Sequence, residues 1–96
     1  MIEQVEGGLR VKAPMLIANA NALLDAGRRV LGAAARGQAV LDLGGVDEVD
    51  SSALSVIFAW QRSATKRGVD LRLRNPPANM ISLAALYGVS ELLPLA

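Results

Sequence analysis

Apolar and polar positions along this chain alternate, then cycle at a longer period, then alternate again. Two short strands, 2–6 and 9–13, flank Gly7-Gly8, a dipeptide suited to a tight hairpin. Leu9, Val11 and Ala13 alternate with Arg10 and Lys12, which predicts a sheet with one wet face. Pro14 ends the second strand, because proline has no N–H to give to a ladder. Between Ala18 and Arg36 the period becomes helical: Ala20, Leu23, Leu24, Gly27, Val30, Leu31 and Ala34 share one side, with Asn21, Asp25, Arg28 and Arg29 largely opposite. Asn19 is the expected N-cap and Gly37 the expected C-cap. Arg28, Arg29 and Arg36 read as a solvated face, Arg36 suiting the negative end of the helix.

The central strand spans 38–43, where Val40 is apolar between Ala39 and Leu41; a strand covered at least partly on both faces is expected. Gly44-Gly45 turns the chain, and a second helix runs from Ser52 to Arg67 and stops at Gly68. In strand 69–74, Val69, Leu71 and Leu73 point inward and Asp70, Arg72 and Arg74 outward. Asn75-Pro76-Pro77 then launches a third helix over 78–87, with Met80, Leu83, Ala84 and Tyr87 as its buried stripe and Gly88 as its end. A half-turn packing Leu92 and Leu93 closes the tail. The order β-β-α-β-α-β-α predicts one α/β domain over 1–96. It would be a small mixed sheet of about four strands, with helices packed mainly on one face and parallel pairing wherever a helix intervenes.

In α/β folds the end of a central strand, opening onto a helix N-terminus, is a common functional position. Here it carries Asp50-Ser51-Ser52. One reading is a cap, in which Ser51 or Asp50 accepts from the free N–H groups at about 1 kcal/mol. The other is a phosphorylatable hydroxyl, whose phosphate adds nearly two charges that the helix end tolerates and an approaching partner does not. The second helix also carries two apolar stripes. Leu54, Ile57, Phe58 and Gln61 are taken as core; Ala53, Val56, Trp60 and Ser63 or Ala64 form the neighbour. Trp60 either covers a core edge or anchors an interface, as aromatics often do. On the interface reading Asp50, Ser51, Ser52, Ala53, Val56 and Trp60 bind the partner, and Trp60→Ala weakens binding more than folding.

Composition narrows the chemistry. The 96 residues include no cysteine and no histidine, so disulfides, thiolate metal sites and the commonest general base are excluded. Net charge is +1, which gives no argument for nucleic acid or an anionic membrane. Gly44-Gly45 lacks the lysine of a phosphate loop. Asp42, Asp47, Glu48 and Asp50 read as turn carboxylates rather than a magnesium site. No catalytic residue, cofactor or metal is therefore expected. With no basic leader at 1–6 and no window near about 18 apolar residues, a cytoplasmic protein is expected. The apolar fraction, 52%, is high enough to suggest a covered surface.

Val40-Leu41-Asp42-Leu43-Gly44-Gly45-Val46, followed by Val49-Asp50-Ser51-Ser52-Ala53-Leu54, resembles the signature of STAS domains. The likeness extends to Gly68 before a strand and to Leu86-Tyr87-Gly88. The short chain and its ending, Leu86-Tyr87-Gly88-Val89 with Leu92-Leu93-Pro94, are most similar to MlaB, the STAS subunit of Mla phospholipid ABC transporters. That resemblance implies a non-catalytic subunit on the transporter's ATPase, reaching the membrane only through that complex. Ser51 matches a threonine at that interface. The next most similar branch, the anti-sigma-factor antagonists, implies Ser52 as the phosphoacceptor of a serine kinase that is also an anti-sigma factor. Ala53 departs from the glycine usual after the serine pair, adding a methyl group where a partner's backbone approaches. Ala13-Pro14-Met15 replaces the usual glycine-acidic pair.

Overall fold

The structure, a computed structural model, describes residues 1–32 and 37–96. Strands β1 (Ile2–Val5) and β2 (Gly8–Val11) lead into helix α1 (Ala20–Gly32). There follow β3 (Gly37–Asp42), α2 (Ser52–Lys66), β4 (Val69–Arg74) and α3 (Ala78–Leu86), with 3-10 turns at Ile17–Asn19 and Ser90–Leu92. The sheet is in chain order, β1-β2-β3-β4. Only the hairpin is antiparallel; the pairs joined through α1 and through α2 are parallel, as a helical crossover requires. The end of the first predicted helix, Ala34 and Arg36 included, lies outside the described residues.

The hairpin uses its two glycines differently. Gly7 turns with φ +80°, while Gly8 lies opposite Val40 so closely that a β-carbon would run into the Val40 carbonyl. Leu9, Val11, Ala39, Leu41, Val69, Leu71 and Leu73 form the buried face of the sheet, against Leu23, Gly27 and Leu31 of α1 and the apolar side of α2. Across the other face Arg10 meets Glu3 at 3.5 Å and Asp42 at 3.3 Å, and Arg72 meets Asp70 at 3.1 Å. Val40 shares that polar face and is half-buried between Gly8 and Arg72, the partial cover expected on the second face of β3.

Four local expectations are corrected. Asn19 does not cap α1; its carboxamide reaches back, accepting from Leu16 N–H at 3.0 Å and donating to the Pro14 carbonyl at 2.6 Å. Gly37 opens β3, with φ +120° and its N–H on the Gly68 carbonyl. Tyr87 lies beyond α3 and is 57% exposed, and Leu92 is exposed while Leu93 is buried. The tail also does what no sequence pattern announced. Leu95 pairs with the end of β4, Leu73 N–H donating to Pro94 at 2.7 Å and Ala96 N–H to Leu73 at 2.8 Å.

Asp42 fastens the ends of the two central strands. Its carboxylate accepts from Gly44 N–H (2.9 Å), the Asn75 carboxamide (3.2 Å) and Arg10. The Gly44 and Asn75 bonds, more than the Arg10 charge, hold it below the usual carboxylate range. A carboxylate lowered by folding stabilises the native state above its unfolded value and loses that contribution as pH falls through the folded one. Asp42→Asn is expected to lower stability by about 1 kcal/mol at neutral pH, since the carboxylate is only part-buried and its Arg10 partner is half-exposed. Urea unfolding should show the gap closing as pH drops below 3.8, the ordinary value.

Candidate functional site

The chain reaches α2 through a loop that the core pins on both sides. Val46 is buried, and Val46 N–H donates to Leu43 at 3.0 Å. Val49 pairs with Met15, whose N–H donates to Glu48 (2.9 Å) and whose carbonyl accepts from Asp50 N–H (3.2 Å). Asp50 is thereby set two residues before the first residue of α2, Ser52, where its carboxylate can serve the helix start.

Asp50 performs the capping. Oδ1 accepts from Ser52 N–H at 2.9 Å and from the Ser52 hydroxyl, while Oδ2 accepts from Ile17 N–H at 2.8 Å. The Ser52 hydroxyl first, and then the Ile17 amide, hold the Asp50 carboxyl below the usual carboxylate range. Ser51 occupies the formal cap position with helical backbone angles and makes no capping bond through its side chain; it is exposed. Ser52 is half-buried.

These three residues form the polar end of an open groove of about 620 Å³. Leu54, Phe58 and Val89 continue it as an apolar floor, with Ser55 beside them. Exposed Ile17 and Tyr87 also line it, so it gathers the turn before α1, the first two turns of α2 and the end of α3. Leu86, the last residue of α3, is 75% exposed.

Ala53, Val56 and Trp60 are corrected. Each is core: Ala53 is fully buried, Val56 2% exposed and Trp60 1% exposed. The reason is α1, which crosses that stripe of α2 at Gly27. A β-carbon on Gly27 would run into the indole, and Trp60 Nε1 donates to the Leu24 carbonyl at 3.4 Å. A side chain so enclosed has no surface to offer a partner. Ser51, before α2, and Ser55 and Phe58 within it share one line along the groove, beside Ser52 and Leu54; Phe58 had the signature of core. Spacing at i, i+4, i+7 was the available signal for it. Ile17 and Tyr87 are brought in from distant elements and had no local signal. Among the described residues no three carboxylates converge; Asp42 and Asp50 each serve their own turn.

A family model described as the MlaB STAS domain matches residues 2–94. The chain belongs to that STAS family. Two solved STAS structures are similar to it in fold. A candidate anti-sigma factor antagonist of Thermotoga maritima is 18% identical, covers 99% of this chain and 83% of its own, and has a TM-score of 0.76. An anti-sigma-factor antagonist (STAS) domain protein of Planctomyces limnophilus is 10% identical, covers 99% and 86%, and has a TM-score of 0.75. No curated protein sequence matches. The four-stranded mixed sheet of this STAS domain is the fold of these neighbours.

Proposed function

We propose that this STAS domain is a non-catalytic subunit that binds the ATPase of a phospholipid ABC transporter of the Mla type, and supports or regulates it. The match to the MlaB family model over 2–94 carries this reading. The groove supplies what such a subunit needs: an apolar floor and rim, with an ordered polar end at Asp50, Ser51 and Ser52. Among the described residues no helix is long and apolar enough to cross a membrane. On the transporter reading, membrane association belongs to the partner, and the protein sits on the cytoplasmic side of the inner membrane.

One observation favours a second reading. The Ser52 hydroxyl stands at the polar end of the groove on the Asp50 carboxylate, and both solved neighbours are described as anti-sigma-factor antagonists. In that reading a serine kinase that is also an anti-sigma factor modifies Ser52, and the charge prevents binding. Affinity purification of the tagged protein from its own cells in mild detergent, followed by mass spectrometry, separates the two. Recovery of an ABC ATPase with its permease supports the transporter subunit. Recovery of a serine kinase instead overturns it in favour of the switch.

A further inference from the structure

Asp50 bonds in two directions at once. On one side it caps α2 through Ser52 N–H and the Ser52 hydroxyl; on the other it accepts Ile17 N–H at 2.8 Å. Ile17 begins the 3-10 turn Ile17–Asn19 and lines the groove with 74% of its surface exposed. Its segment is otherwise tied by backbone bonds around Met15 and by the Asn19 carboxamide. We propose that Asp50 is the positioning residue through which a negative charge on Ser52 acts, driving the carboxylate off Ile17 and freeing that wall of the groove. The proposal rests on the reading of Ser52 as a modifiable hydroxyl.

In the modification, Ser52 Oγ takes the terminal phosphoryl group of a nucleoside triphosphate held by a kinase. The new O–P bond forms as the bridging O–P bond breaks, nucleoside diphosphate leaves, and the hydroxyl proton passes to solvent. Ser52 then no longer donates to Asp50. It presents a dianion to a carboxylate within hydrogen-bonding reach, and the two compete for the same Ser52 N–H. Among the described residues no lysine or arginine lines the groove to neutralise either group. One must leave, and Asp50 cannot turn away while both of its oxygens keep their present donors. Ser51 differs, because its side chain is exposed and caps nothing, so a charge there is solvated in place.

The test is amide hydrogen exchange of the isotopically labelled free protein, with the Trp60 indole N–H signal as the reporter of an intact core. Ser52→Asp is expected to speed exchange at Ile17 by about tenfold, the factor corresponding to one lost charge-assisted hydrogen bond. Ser51→Asp and Ser52→Ala should leave Ile17 as it is in the native protein. Should Ser52→Asp disturb the indole signal, Ser52→Glu carries the same charge on a longer stem and is read the same way. Unchanged Ile17 exchange in a folded, charged variant overturns the proposal, as does equal acceleration by Ser51→Asp. Partner affinity is read separately. If Ile17 is released while affinity for the partner holds, the coupling stands and the groove is not the partner surface.

Discussion

Trp60→Ala lowers the unfolding free energy by about 3–5 kcal/mol, the range for deleting a large buried aromatic. The indole is 1% exposed, fills the space left by Gly27, and has its N–H on Leu24. Little can collapse into the void, since α1 and α2 are both anchored to the sheet by other buried residues. Gly27→Ala attacks the same contact from the opposite side. It gains about 1 kcal/mol of helix propensity and loses more to the collision, for a net cost of about 1–3 kcal/mol. Because each change answers the other, Trp60→Leu in the Gly27→Ala background should cost less than the two single effects added. Urea unfolding of the two single variants and the double variant measures this directly. Additivity would mean that the two residues do not meet.

Gly8→Ala is the second large effect. A β-carbon at this position collides with backbone, the Val40 carbonyl, which cannot swing aside as a side chain would. Relief requires β2 and β3 to separate where Gly8, Leu9 and Arg10 pair with Val40, Leu41 and Asp42. The expected loss is about 3 kcal/mol, at the upper end for overpacking. Gly7→Ala serves as the contrast. Gly7 has open space around it and a φ of +80°, so it should cost only about 1 kcal/mol of backbone strain. Thermal melts of the two variants should differ widely; equal shifts would remove the close-approach argument.

The glycines also show how far the chain could be read beforehand. Gly7-Gly8 announced a turn, Gly68 and Gly88 announced helix ends, and alternation in 69–74 announced which side of β4 is buried. Parallel pairing of β2 with β3 and of β3 with β4 followed from the helices between them. What the pattern left open was which of two apolar stripes on α2 faces α1. Both are hydrophobic, and periodicity carries no information about the neighbour. Gly27 held the missing clue, since a glycine within a helix marks close approach by something large. Tyr87 was misplaced because α3 ends at Leu86, one residue earlier than the stripe implied. At the candidate site, Asp50 was legible as a cap. Its bond to Ile17 was not, because it joins residues 33 positions apart that only the folded loop brings together.

The central claim is that the groove at the start of α2 binds the ATPase. Its most direct test is a calorimetric titration of that ATPase with Phe58→Ala, using Arg72→Ala on the opposite face of the sheet as the control. Phe58 is half-buried on the groove floor, and the Arg72 guanidinium donates to the Asp70 carboxylate. Phe58→Ala, shown by its melt to be folded, is expected to weaken binding by about tenfold or more. Arg72→Ala should bind as the native protein does. Native affinity for Phe58→Ala together with weakened binding for Arg72→Ala would place the partner on the sheet and contradict the account.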